Sequence, residues 1–219
     1  MLTNLPALIF DLDGTLIDSK PGIVGCLRKV LDAWQIDYRG SLDRFIGPPA
    51  EVWTAALLPH GTEQVRAKLA CDYRDCYDLE GWKEVSVFAG VREMLSQLCA
   101  TGSELYICTS KQQRFATRIL DVFALTESFD GIYGDELEYE THSKSVLLSK
   151  LLDERLIDRR LAWMIGDRVF DIEAAHANNV RCLAARWGYG ANEELASADN
   201  TAASPADVYD LVFPARLST

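Results

Sequence analysis

Residues 7–15, ALIFDLDGT, decide how this chain is read. Four apolar residues, Ala7 to Phe10, run straight into Asp11 and Asp13, with Leu12 between the two acids. A short apolar run bounded by turn residues reads as a buried strand, and Asp13-Gly14 as the turn that closes it. Carboxylates this close repel, and one gives up its charge unless a cation or a shared proton intervenes. The stretch therefore asks for a metal, a shared proton or both. Taken alone it also reads as a plain strand followed by an Asp-Gly turn. An EF-hand loop does not fit: the glycine comes too early and no Glu closes it.

Working outward, three more apolar runs read as strands: 104–108 (ELYIC), 162–165 (AWMI) and, more weakly, 181–185 (RCLAA). Helix-period segments lie between and around them at Val91–Cys99, Phe115–Phe123, Ser145–Leu152 and Ile172–Ala177, with Gly102 as a stop after the first. Alternating strands and helices, with continuously apolar strands, predict an α/β fold: a parallel sheet covered on both faces. Residues 19–86 break the rhythm and read as all-helical. Pro21 opens a helix running through Trp34, and further helices fit Ala50–Leu58 and Glu63–Tyr77. The expected organisation is a core of residues 1–18 and 87–219 with a helical domain, 19–86, inserted after the first strand. The tail beyond Gly190 suggests a weak Ala/Glu helix and a second start at Ser204-Pro205.

With 219 residues the chain buries a core without staples. A net charge of −11 argues against a nucleic-acid polymer as partner, whose phosphates are met by basic patches. No apolar run approaches membrane-spanning length, and no basic leader precedes the first strand. Six cysteines without a CxxC pair read as buried free thiols in a reducing cytoplasm.

In an open parallel sheet, ligands bind beyond the carboxyl ends of the strands, at the point where strand order reverses. There the first run delivers Asp11 and Asp13, the second Thr109, Ser110 and Lys111, and the third Gly166, Asp167 and then Asp171. Lys144 stands just ahead of a helix. Several carboxylates without imidazole favour a hard, oxygen-seeking cation, Mg²⁺ first, and the lysine and hydroxyls suit a phosphate. Alone, each residue has a plainer reading. Lys144 is a solvated helix-start lysine, Asp167 and Asp171 a turn and an N-cap, and Thr109 a strand-end hydroxyl. Lys111 and Arg114 are expected to face solvent at a helix start, though within reach of a substrate. His142 reads as a surface-loop residue and His60 and His176 as helix-end residues. The stretch RWGYG (186–190) reads as a loop, and Trp53, Tyr73 and the other aromatics of 19–86 as core of that insert. Gly47 in FIGPP is either a loop facing the substrate or a helix–helix turn.

DLDGT after an apolar strand resembles the first motif of the haloacid dehalogenase-like hydrolases. ICTSK resembles their second, Lys144 in THSKSVLL their third, and MIGDRVFDIEAA their fourth. The resemblance runs from about Leu5 to Leu195, with the motifs in order. It implies a Rossmann-like core with an inserted all-helical cap of the small C1 type, and hydrolysis of phosphomonoesters with Mg²⁺. Asp11 would be the nucleophile that forms an aspartyl-phosphate, and Asp13 would serve as acid and then base. Thr109, with Ser110, would hold the phosphate, alongside backbone N–H groups of Leu12 and Gly14. Lys144 would bind and neutralise the nucleophile–phosphate pair. Asp11, Asp167 and the carbonyl of Asp13 would ligate the metal, with Asp171 supporting them or orienting Lys144. FIGPP (45–49) and VFAGV (87–91) resemble the phosphoglycolate phosphatase-like branch, which is the leading expectation for the substrate, and IYGDELEYETHSKSVLL (132–148) resembles a 5'-nucleotidase-like subgroup, the runner-up. The partner implied is a small phosphorylated metabolite, and the chain a monomer or homodimer. A sugar phosphomutase would keep all four motifs. A dehalogenase would not need Asp13. A phosphonatase would want a cap lysine, among Lys20, Lys29, Lys68 and Lys83. A binding module without catalysis would not need the complete set.

Overall fold

The structure, a computed structural model, describes residues 5–48, 50–135 and 143–214. Within them lie eight strands and eight α-helices. The chain opens with β1 (Leu8–Phe10) and the two-residue β2 (Ile17–Asp18). Helices α1 (Lys20–Ala33), α2 (Ala50–Leu57) and α3 (Glu63–Leu79) follow, and β3 (Ser86–Val87) returns. Then come α4 (Val91–Cys99), β4 (Leu105–Gln112), α5 (Gln113–Val122), β5 (Gly131–Asp135), α6 (Lys144–Glu154), β6 (Trp163–Gly166), α7 (Val169–Ala177), β7 (Arg181–Ala185), β8 (Asn200–Ala202) and α8 (Val208–Val212).

Six strands form one sheet in the order β5-β4-β1-β6-β7-β8, every pair parallel. The chain leaves β1 for β4 and β5 on one side, then crosses to β6 on the other, so the order reverses at β1. That puts the switch point beside Asp11. Side chains alternate between faces along each strand. Leu8, Phe10, Ile107 and Ile165 join the apolar cluster that includes α4 and α5. Ile9, Cys108, Met164 and Cys182 join the cluster against α6 and α7. Both faces are therefore buried, which is why the strands are continuously apolar.

β2 and β3 pair antiparallel, Ile17 with Val87 and Asp18 with Ser86, and bracket the helical insert. The insert is not walled off from the sheet: Leu27, Leu31, Trp53 and Leu69 belong to the same apolar cluster as Phe10 and Ile107. Its helices start and stop within two residues of their expected bounds, because Pro21, the Thr62 N-cap and a dense apolar stripe mark them locally.

Four strands escaped sequence reading. GIYGD of β5 carries two glycines, NTA of β8 is a polar edge strand, and β2 and β3 are too short for any periodicity. The expected Ala/Glu helix after Gly190 is absent; residues 192–197 form turns instead. Asp199 ends that stretch by accepting from the Cys182 amide, and it also pairs with His176. Ser204-Pro205 does start a short helical piece leading into α8. All six cysteines are free thiols, but Cys99 is exposed and Cys71 and Cys76 are only half-buried, so burial holds for Cys26, Cys108 and Cys182. His142, part of FIGPP at Pro49 and much of 132–148 fall outside the described residues.

Candidate active site

Asp11 is the residue after the last of β1. Its amide donates to the Ile165 carbonyl (2.9 Å), which pins the end of β1 to β6. Its carboxylate accepts from the Leu12 amide (2.7 Å) and pairs with Lys144 Nζ (2.8 Å). Lys144, first residue of α6, also meets Asp171 Oδ1 at 2.5 Å. Its ammonium thus sits between two carboxylates, and the side chain is buried. Burial opposes its charge, but Asp11 and then Asp171 outweigh that and raise its pKa above the usual lysine range. The plainer reading of Lys144 as a solvated helix-start lysine does not hold, because its side chain is buried between two carboxylates.

Asp167, directly after β6, is fully buried. It accepts from the Tyr189 amide (2.8 Å) and the Thr15 hydroxyl (3.2 Å) and, among the described residues, has no ion-pair partner. Burial, reinforced by Asp171 and Asp11, pushes its pKa well above the ordinary carboxylate value. Burial likewise lifts Asp11 to about 6, against the pull of Lys144. Oxygens of Asp11, Asp167 and Asp171 lie within 4.8 Å of one another, all three residues buried. Three buried carboxylates share one ammonium, leaving excess negative charge where water cannot screen it. An all-oxygen set with uncompensated charge fits a hard divalent cation. In this geometry the Asp171 carboxylate, not that of Asp13, completes the side-chain cluster.

Asp13 turns elsewhere. Both of its oxygens accept from Lys111 Nζ, at 3.0 and 2.9 Å. Lys111 does not face solvent as expected. Its side chain is 6 % exposed, and its ammonium lies 4.6 Å from the centre of the Tyr77 ring on α3. The reason is that β4 runs on to Gln112 instead of stopping at Cys108, so Lys111 stays on the strand that borders β1. A lysine immediately after Thr-Ser at a strand end beside an Asp-x-Asp turn was the signal available. Arg114 does lie at the surface, against Asp78.

Thr109 is buried, and its hydroxyl accepts from the Lys111 amide (3.2 Å), shaping the loop; Thr109 and Ser110 both line the cavity. Gly14 works otherwise than as a phosphate donor: its amide is given to the Ile17 carbonyl (2.9 Å) in the turn to β2. It adopts φ +84°, and a Cβ there would lie 2.2 Å from Asp167 Oδ2, so glycine lets the turn pass over the acid.

RWGYG is more than a connecting loop. Besides the Tyr189 amide on Asp167, Trp187 Nε1 donates to the Thr15 carbonyl (2.9 Å). The Tyr189 hydroxyl accepts from the Ser19 and Lys20 amides (2.8 and 3.1 Å) and donates to Asp18 Oδ1 (2.8 Å). The first amides of α1, orphaned by helix geometry, are thereby satisfied from the core. Nothing in five residues of mixed composition signals that.

A cavity opens over Asp11, Asp13, Thr109, Lys111 and Lys144. Its far wall is the insert: Ile23, Phe45, Gly47, Trp53, Tyr73 and Tyr77. Phe115 and Phe170 come from the core side, and Asp135, at the end of β5, was not anticipated. The insert aromatics pack against each other as expected, Trp53 with Tyr73 at 5.3 Å, but they also face this space. Gly47 lines the cavity and also lies in the turn between the short helical piece Leu42–Phe45 and α2, so both of its readings are compatible with its position.

A family model described as haloacid dehalogenase-like hydrolase matches residues 8–185. A 5'-nucleotidase from Pseudomonas aeruginosa is 36% identical over 193 residues, covering 87% of this chain and 86% of that one. Tyrosine-protein kinase PtkA of Mycobacterium tuberculosis is 32% identical, covering 93% and 69%. Phosphoglycolate phosphatase 1 of P. aeruginosa is 30% identical, covering 89% and 74%. A crystal structure of a predicted phosphatase from Clostridium acetobutylicum superposes with a TM-score of 0.89 at 30% identity, covering 95% and 98%. With its acids at the sheet's switch point and a family match spanning the whole sheet as far as β7, the chain belongs to the haloacid dehalogenase-like hydrolases.

Proposed function

We propose that this protein is a Mg²⁺-dependent phosphomonoester hydrolase that works through an aspartyl-phosphate on Asp11. The phosphatase class rests on the family and on relatives and a solved neighbour named as phosphatases. The observation that carries the mechanism is the pairing of Lys144 with both Asp11 and Asp171 next to the cation-deficient Asp167. Asp11, Asp167 and Asp171 would hold the metal, with the Asp13 carbonyl added as the resemblance implies. When bound, Mg²⁺ supplies positive charge against the phosphoryl oxygens. Lys144 offsets the repulsion between the Asp11 carboxylate and a phosphate dianion, so the acid can attack phosphorus. Thr109 and Ser110 hold the phosphate oxygens. Asp13, oriented by Lys111, gives a proton to the leaving oxygen and takes one from the water that hydrolyses the intermediate. Residues 19–86 act as a cap, hinged at the β2–β3 pair, that excludes bulk water and selects the leaving group.

The aromatic wall supports a planar or apolar leaving group, hence a nucleoside monophosphate over phosphoglycolate. The 36% identical relative is a 5'-nucleotidase. Among the described residues no helix is long and apolar enough to cross a membrane, and free thiols suit a reducing cytoplasm. The chain works as a monomer or homodimer.

Phosphate release, with Mg²⁺, across nucleoside monophosphates, 2-phosphoglycolate, hexose phosphates and pyridoxal phosphate tests the reading. The expected result is release, fastest with a nucleotide. Isomerised hexose phosphate without free phosphate would make the protein a mutase, and no turnover of any ester would refute the hydrolase.

A further inference from the structure

Arg168 follows Asp167 directly, and its three sets of contacts run in different directions. Its amide donates to Asp171 Oδ2 (2.9 Å), inside the acidic cluster. Its Nε donates to Glu194 Oε1 (2.8 Å), and the same oxygen accepts the Val169 amide (2.9 Å), a first-turn donor of α7 that would otherwise lack a partner. Its Nη1 donates to the Ile46 carbonyl, in the insert. The Arg168–Glu194 pair is only 11 and 21 % exposed, so the guanidinium is fixed in place, not loosely solvated. Gly47 adopts φ +98°, and a Cβ there would come within 3.3 Å of Arg168 Cγ and Nη1. The loop has thus been shaped to let this arginine approach. Ile46 itself is almost fully buried.

We propose that Arg168 is a positioning residue that docks the insert loop 42–48 over the reaction site, with Glu194 as the brace that aims it. The cavity then becomes a closed pocket only when Arg168 holds Ile46, because Phe45, Gly47 and Pro48 ride on the same loop. Tyr189 holds the opposite end of the insert, at Ser19 and Lys20, so a hinge and a catch flank the pocket. Both are carried by residues whose backbone touches the acidic cluster: the Tyr189 amide on Asp167 and the Arg168 amide on Asp171. The arrangement of acids is therefore tied mechanically to cap closure.

The inference uses the phosphatase reading for its kinetic half only. Hydrogen–deuterium exchange on the full chain tests the other half without turnover. Arg168→Met and Glu194→Gln are each expected to speed exchange at the Ile46 and Gly47 amides about tenfold or more, as befits loss of a charge-assisted bond. Exchange in α6 should not change. With Mg²⁺ and a nucleoside monophosphate, KM should rise about tenfold while kcat falls less, and Arg168→Lys should recover part of both. Unchanged exchange at 46–47 in both variants overturns the proposal, as does an equal fall in kcat with no change in KM. Should Arg168→Met fail to fold, Glu194→Gln and Arg168→Lys carry the same comparison. If the wild-type chain releases no phosphate, the functional reading fails while the exchange result still decides the docking.

Discussion

The strand-end acids and the helical insert face each other across one cavity but are stabilised in opposite ways. At the strand ends, Lys111 pairs with Asp13 and Lys144 with Asp11 and Asp171, while buried Asp167 is held by the Tyr189 amide and the Thr15 hydroxyl, all with little exposure to water. The insert meets the cavity mostly with rings and aliphatic carbon, and its polar ties to the core include Arg168 at the Ile46 carbonyl, Tyr189 at the hinge and the surface pair of Asp78 with Arg114. Charges in low dielectric interact strongly and tolerate no loss of a partner, whereas apolar contacts are individually weak and adaptable. The lesson is a division of labour. The acids should set the rate for every substrate, and the insert should set which substrate is accepted.

The most severe way to test this is to remove Asp11, the proposed nucleophile. Asp11→Asn should cut turnover by at least about a thousandfold on every ester, with the fold retained in circular dichroism. Activity near wild type in that variant would break the assignment. The same variant sharpens the electrostatics. The folded pKa of Asp11 is raised to about 6, so its contribution to stability is intact below the unfolded value and is lost as pH rises through 6. In chelator, wild type should therefore lose stability relative to Asp11→Asn between about pH 4 and 6, by on the order of 2–3 kcal/mol. Added Mg²⁺ should reverse the loss, and parallel melting curves would deny it.

Next comes the metal. Chelation, or Asp167→Asn, should lower kcat by about a hundredfold or more, and isothermal titration should show Mg²⁺ binding weakened in the variant. Lys111→Met should lower kcat about 10- to 100-fold with KM little changed, since it orients Asp13 and leaves the phosphate's own ligands in place. A pure KM effect would move Lys111 to the insert's side of the comparison.

The insert should respond differently. Trp53→Leu is expected to raise KM for a nucleoside monophosphate about tenfold while glycerol phosphate changes little, because ring stacking contributes about 1–3 kcal/mol. Equal losses on both substrates would break the division of labour. The smallest effect belongs to the hinge. Tyr189→Phe removes the acceptor for two amides and should lower Tm by a few degrees, about 1 kcal/mol, with kcat/KM within about threefold.

Local patterns were enough to foresee β1, β4, β6 and β7, the helices of the insert, and the acids Asp11, Asp13, Asp167 and Asp171. Apolar runs, a proline at a helix start and carboxylates at strand ends are written in neighbouring residues, and neighbouring residues fix backbone geometry. The short strands β2, β3, β5 and β8 were hidden because their partners, not their own side chains, make them strands.

The sequence by itself determined an α/β sheet with a helical insert and a set of acids gathered at one edge. Only the tertiary structure decided the full set of pairs between cations and acids. Lys144 met Asp11 and Asp171, as the motif resemblance implied, but Lys111 went to Asp13, and Arg168 left its own cluster to reach Glu194 and the insert. Pairing follows distance and dielectric between residues remote in the chain, such as Lys111 and Asp13, which are 98 positions apart. No local pattern encodes that distance; it arises when parallel strands bring their ends together.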